Sequence, residues 1–181
     1  MSNELQVNPL TTIPYTDNDT VYNPVAVDDK EGRLAVRSKL ELYESALKQA
    51  LGSERGDMDE INEDGLQEFF IGSAYVRCLS IPKDITIVSK IWNRERLWII
   101  SEGEVTFVTE MGLRRVKAPY TEVVPPGSKV ALYTHEDTVW YAMTKVEATS
   151  LENVEDEVIV QTYSDFTYPW DELEDKTGDI K

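Results

Sequence analysis

The sequence predicts an all-β domain, a sandwich or barrel, preceded by an extended arm and one amphipathic α-helix. Three observations carry this expectation. From Phe69 onward, apolar and polar residues alternate with a period of two. Turn residues cut that region into short, evenly spaced runs: Pro82-Lys83-Asp84, Glu102-Gly103, Met111-Gly112, Pro119 and Pro125-Pro126-Gly127. Upstream, a single stretch repeats its apolar residues at three- and four-residue intervals instead. Many short strands at such spacing indicate a sandwich or a closed barrel.

Residues 1–27 form the arm. Pro9, Pro14 and Pro24 fix φ and remove amide donors, and Thr, Asn and Asp fill most of the space between them. Two readings stay open: a disordered tail, or an arm laid on a neighbouring subunit through Ile13, Tyr15, Val21, Tyr22 and Val25.

Residues 28–68 hold the helix and an acidic linker. The helix is expected over residues 33–51, with Leu40, Tyr43, Leu47, Ala50 and Leu51 along one face. Asp28 or Asp29 suits its start, and Gly52 suits a left-handed C-terminal cap. Residues 53–68 are polar and acidic.

The β domain is expected over residues 69–162. Its strand candidates are residues 75–81, 85–92, 97–101, 105–109, 113–117, 122–124, 129–133 and 138–145, with 158–161 as a last short one. Residues 163–181 form an acidic tail with an aromatic segment, Phe166-Thr167-Tyr168-Pro169-Trp170. No internal repeat and no low-complexity tract interrupts the chain.

The bulk properties narrow the function classes. A chain of 181 residues with 41% hydrophobic residues suits one packed core with extensions. The net charge of −16 is unevenly spread: residues 69–146 carry 8 acids and 10 bases, whereas each flank has a net charge of −9. Acidic flanks would repel phosphate, so nucleic acid is not an expected partner. Cys78 is the one cysteine, which rules out an intramolecular disulfide, and its apolar alternating context suits a small buried hydrophobe. The N-terminal Met1-Ser2-Asn3-Glu4 lacks the basic and apolar regions of a signal peptide, and no apolar run is long enough to cross a bilayer. A soluble protein made in a cytoplasm is therefore expected, with no membrane partner.

Two spaced motifs resemble the signature of the cupin superfamily, over about residues 75–146. The family's first motif places two histidines and a glutamate ahead of a closing glycine. Anchored on Gly103, it puts Lys90 and Trp92 in the histidine slots, Arg96 in the glutamate slot and Asp84 at the first glycine. A longer spacer would put Ser89 and Ile91 in the histidine slots. In the second motif Pro125-Pro126-Gly127 matches, Val130 replaces the last histidine, Thr134 the asparagine, and Pro119 the first glycine. The resemblance implies a cupin-like jelly-roll barrel. The runs Leu97–Val105 and Ala118-Pro119-Tyr120-Thr121 through Gly127 also resemble small cupin-like proteins encoded by tailed bacteriophages.

The replaced slots remove the family's chemistry. Its metals need imidazole and carboxylate donors converging on one point. Lys90 and Arg96 would repel a cation, and Trp92 and Val130 offer no lone pair. No metal, cofactor or catalytic residue is expected. The only histidine, His135, lies in Thr134-His135-Glu136-Asp137 and reads as part of a solvated turn. If the alignment places Lys90, Trp92 and Arg96 inside the barrel, two cations beside an indole need compensation. Three readings follow: a Trp92 plug with an internal ion pair, for which Glu95, Glu104 and Glu122 are the nearest acids; an anionic ligand held by Lys90, Arg96, Arg94 and Trp92; or Lys90 in solvent at the barrel mouth.

Two function classes remain. One is a non-enzymatic structural or interaction protein; in the phage setting this is a virion accessory subunit of the head, neck or tail, made in the host cytoplasm. Its partners would be other virion proteins or copies of itself, engaged through Ile13, Tyr15, Tyr22 and Val25 and through Phe166, Tyr168 and Trp170. The other is a metal-free cupin binding an anionic sugar or nucleotide, with Tyr75, Tyr120, Tyr133 or Tyr141 as a phenolic base.

Overall fold

The computed structural model of the protein describes residues 30–50 and 65–166. It opens with helix α1 (Lys30–Ala50) and continues through ten strands: β1 (Leu66–Ile71), β2 (Ala74–Ile81), β3 (Thr86–Val88), β4 (Ile91–Trp92), β5 (Arg96–Glu102), β6 (Glu104–Thr109), β7 (Gly112–Lys117), β8 (Tyr120–Val124), β9 (Ala131–Thr134) and β10 (Thr138–Lys145). A short helix α2 (Leu151–Val158), a two-residue strand β11 (Ile159–Val160) and a 3₁₀ turn (Tyr163–Asp165) complete it.

The strands pair antiparallel throughout. A five-stranded sheet runs β1-β2-β10-β5-β8, and a four-stranded sheet runs β3-β9-β6-β7. Their inner faces enclose the core, in which Trp98, Phe107 and Trp140 meet at ring-centroid distances of 4.8–5.9 Å. The expected all-β jelly-roll architecture is therefore present. One turn depends on glycine: Gly103 joins β5 to β6 at φ 91°, and a Cβ there would lie 2.8 Å from Thr138 Cα and closer still to Asp137 O.

Helix α1 lies on the outer face of the four-stranded sheet. Val36 and Leu40 pack on Val88 and Ala131, with Tyr43 partly buried beside them, and Glu44 pairs with Lys129. Leu40 and Tyr43 thus lie on the expected face.

The strand pattern departs from expectation in three places. β1 begins at Leu66, inside the stretch read as linker, because Leu66, Glu68 and Phe70 alternate against β2. Residues 85–92 do not form one strand; Ser89 and Lys90 separate β3 from β4. Helix α2 was not anticipated at all. Its Val154 and Val158 pack inward, while its acids face outward or pair with bases of the barrel. Asp28, Asp29 and Gly52 lie outside the described residues, as do the arm residues Ile13, Tyr15, Val21, Tyr22 and Val25 and the tail residues Tyr168 and Trp170.

Candidate functional site

Three of the expected slots, Trp92, Arg96 and Val130, come together at the barrel end closed by β4, β11 and α2. β4 is only two residues long, but its neighbours hold it from several sides. Gly127 N donates to Trp92 O at 2.6 Å, Asn93 N to Val158 O at 2.9 Å, and Asn93 Nδ2 to Glu157 O at 2.9 Å. Glu157 in turn accepts from the amides of Glu147 and Ala148, which hold its carboxyl below the usual range. These bonds fix where the Trp92 indole points.

Trp92 is buried, as the resemblance implied. It stacks on Tyr75 with ring centroids 6.1 Å apart and an interplanar angle of 18°, and packs with Val146, Val154 and Val158. Two guanidinium groups approach it: Arg96 Cζ lies 4.9 Å and Arg77 Cζ 5.8 Å from the ring centroid. Arg96, 2% exposed, also lies 5.4 Å from the Trp98 ring and donates through Nη2 to Ser128 O at 3.1 Å. Arg77 went unremarked in the sequence because it sits in an otherwise apolar strand. A base inside an alternating apolar run was the available signal.

Lys90 does not point into the barrel beside Trp92. The break between β3 and β4 interrupts the alternation, and Ser89 takes the inner position. Ser89 Oγ donates to Lys90 O at 2.9 Å and accepts from Val130 N at 3.0 Å. Lys90, 24% exposed at its side chain, reaches Glu155 of α2 at 3.7 Å. The compensating acids also differ from those expected. Glu95 is exposed, Glu104 pairs with Arg115 at 2.6 Å, and Glu122 pairs with Arg114. The acids that serve this end of the barrel are Glu68, 3.0 Å from Arg77 Nε, and Glu155, 3.4 Å from Arg77 Nη2. The Glu68–Arg77 approach at Nε is a contact of charge, not an aligned hydrogen bond. Arg94 lies apart from Lys90 on the outer surface, bonded to Glu157 at 2.9 Å.

The cavity left in this end of the barrel is about 20 Å³, lined by Ser89, Trp92, Arg96, Val130 and the aromatic core beneath them. That is room for about one water molecule. Its rim holds no imidazole and no carboxylate, and the one charged group that lines it is the Arg96 cation. A transition metal does not fit this residue set. Among the described residues, no three His, Cys, Asp or Glu side chains converge.

The four phenols weighed as bases all shift away from neutral pH. Burial raises Tyr75 far above its ordinary value, with Arg77 opposing and the bond to Glu68 adding. Burial and then Glu122 raise Tyr120. The bond to Asp84 raises Tyr133, and a bond to Cys78 raises Tyr141. None is poised to give up a proton near neutrality. Cys78 itself is buried, as expected. His135 lies in the expected bend between β9 and β10, where Glu136 and Asp137 are exposed, but it is not itself fully solvated. It is half-buried, its Nε2 lies 2.8 Å from Thr106 Oγ1, and burial followed by Arg115 lowers its pKa, with Glu104 opposing.

Phe166, the tail anchor that is described, is half-buried just after the 3₁₀ turn, and its amide donates to Tyr163 O at 3.3 Å. That turn is pinned to the four-stranded sheet side: Tyr163 OH donates to buried Glu110 at 2.7 Å, and Arg37 of α1 lies 5.0 Å from the Tyr163 ring.

No family model and no curated protein matches the chain. Several solved structures are similar. The plu4264 protein from Photorhabdus luminescens is 14% identical, over 56% of this chain and 92% of that one, with a TM-score of 0.42. KdgF from Halomonas sp. is 14% identical, over 50% and 93%, with a TM-score of 0.40. A Cupin 2 conserved barrel domain protein from Salinispora arenicola is 18% identical, over 45% and 75%, with a TM-score of 0.39. Some of the similar structures, the Salinispora arenicola protein among them, are cupins by name, and the likeness is one of fold alone.

Proposed function

We propose that this chain is a non-enzymatic structural or interaction subunit, an accessory component of a bacteriophage virion. One observation carries the non-enzymatic part. The barrel end that holds chemistry in a metal-bearing cupin is filled by Trp92 and Arg96, leaving about 20 Å³. Sites for small molecules span roughly 300–1,000 Å³, so a sugar acid or nucleotide has no room inside. The Glu68–Arg77 and Glu155–Lys90 pairs satisfy cations that an anionic ligand would otherwise serve. The virion part rests on the resemblance of Leu97–Val105 and Ala118–Gly127 to phage-encoded proteins, and on flanks suited to reaching neighbours.

The test uses the full chain. Mass spectrometry of purified particles is expected to find it at a fixed stoichiometry, and deleting residues 1–27 is expected to abolish its incorporation. Absence from particles, together with a calorimetric signal for glucuronate or ATP, would overturn the proposal in favour of a metal-free ligand-binding cupin.

A further inference from the structure

The side of helix α1 that faces the barrel carries two charged residues. Val36, Arg37, Leu40, Tyr43 and Glu44 recur at three- and four-residue steps, so they share one face. Val36 and Leu40 give that face its buried apolar contact, on Val88 and Ala131. This is a small anchor for a 21-residue helix whose Leu34 and Leu42 face solvent. Arg37 and Glu44 need partners in such a place, because a buried charge without one is costly.

Their partners close into a ring. Arg37 Cζ lies 5.0 Å from the Tyr163 ring centroid. Tyr163 OH donates to Glu110 Oε1 at 2.7 Å, and Lys129 N donates to Glu110 Oε2 at 3.3 Å. Lys129 Nζ pairs with Glu44, which brings the ring back to α1. Glu110, Lys129 and Arg37 are 1%, 6% and 8% exposed. Glu110 is the unusual member. It sits in the turn between β6 and β7, where side chains are ordinarily solvated. Burial pushes its carboxyl above the usual range, and the bond from Tyr163 is the first influence opposing that. Four parts of the chain distant in sequence thus meet around one carboxyl group: α1, the β6–β7 turn, the stretch before β9 and the 3₁₀ turn.

We infer that this ring is a latch that couples the C-terminal segment to helix α1: release of Tyr163 loosens α1 from the sheet, and release of α1 loosens Tyr163. Without Tyr163, Glu110 loses its 2.7 Å bond and its cover, and Arg37 loses the ring that lies beside it. A partly satisfied polar cluster draws in water, and the two apolar side chains of α1 do little to exclude it. The reverse effect follows by thermodynamic necessity. The coupling reaches both flanks, because residues 1–29 lead into α1 and residues 167–181 follow the 3₁₀ turn. A partner that draws one flank off the barrel therefore frees the other. The latch is a property of the chain by itself and stands apart from the virion proposal.

Amide hydrogen exchange of the full chain, read by mass spectrometry, tests this, with circular dichroism confirming the fold of each variant. Tyr163→Ala is expected to speed exchange in residues 30–50 about tenfold or more, as for coupled sites in general, while β2 and β10 keep their rates. Tyr163→Phe, which removes one hydroxyl, is expected to give a smaller rise in the same residues, and it decides the matter alone if the alanine variant does not fold. In the reverse direction, Leu40→Ala is expected to speed exchange in residues 159–166. Unchanged rates in α1, or a rise shared equally by α1, β2 and β10, would overturn the inference. A response of α1 to Tyr163→Ala with no response of residues 159–166 to Leu40→Ala would overturn it as well, since a coupling runs both ways. Absence of the chain from purified particles would count against the virion proposal alone.

Discussion

Arg96 lies over Trp92, guanidinium carbon to ring centroid 4.9 Å, with both side chains nearly excluded from solvent. The arginine gives the indole an electrostatic partner, and the indole, with the bond from Arg96 to Ser128 O, lets the arginine stay buried. The pair is a packing unit in which neither residue replaces the other's contribution.

Trp92→Ala should therefore cost about 3–5 kcal/mol in urea unfolding, the range for a large buried aromatic. A loss below about 1 kcal/mol would show that the indole is not part of the core.

Glu68 and Glu155 both approach Arg77, but at different depths. Glu68 is the more sheltered and also accepts from Tyr75, whereas the Glu155 side chain is 42% exposed. Glu68→Gln is expected to cost about 1.5–3 kcal/mol, as for a hydrogen-bonded charged group. Glu155→Gln should cost less than ~1 kcal/mol, because water screens an exposed pair. Equal losses from the two would contradict this ordering.

Gly103→Ala is expected to destabilise by at least ~2 kcal/mol, since φ is 91° and the added methyl meets backbone at Asp137 and Thr138. Gly72→Ala, at φ 61° with open space around it, should cost only about 1–2 kcal/mol. Thermal unfolding of the two variants side by side provides the comparison.

His135 introduces a pH dependence whose sign follows from its lowered pKa. As pH falls below about 6.5, the unfolded chain takes up the proton first, so the folded state loses stability. His135→Gln keeps a partner for Thr106 and removes the titration. Its stability is expected to fall less steeply over that range than the wild type's, as measured by urea midpoints at stepped pH.

Adding Fe, Mn, Ni or Zn in slight excess should leave the unfolding temperature unchanged, because a metal bound to the folded state alone would raise it. A metal-dependent rise that Ser89→Ala abolishes would show that a site exists at this end of the barrel.

Most of the strand layout was legible because one face of each strand is buried, which forces a period of two onto the sequence. The first strand escaped because Gln67 and Glu68 make it look like linker, although Glu68 faces inward to meet Arg77. Helix α2 escaped because Leu-Glu-Asn-Val-Glu-Asp-Glu-Val shows only Val154 and Val158 as buried apolar contacts among acids. The site inherits both gaps. With Glu68 assigned to a linker and Glu155 to no element, the acids for Lys90 and Arg77 could not be named. Of the readings open for Lys90, the one beside Trp92 fails and the one at the barrel mouth is nearer, because periodicity cannot register a break at Ser89.

The cap formed by α2 and β11 also bears on the order in which the chain is made. Translation delivers residues 30–145, with both sheets, before the segment that covers Trp92 from Val154 and Val158 and pairs Ile159 with Trp92. A chain truncated after residue 148 would hold a barrel whose indole lacks the cover of Val154 and Val158 and whose Lys90 lacks Glu155. A nick between Glu147 and Leu151 would leave that cover held by its packing and by the pairing of β11 with β4 alone.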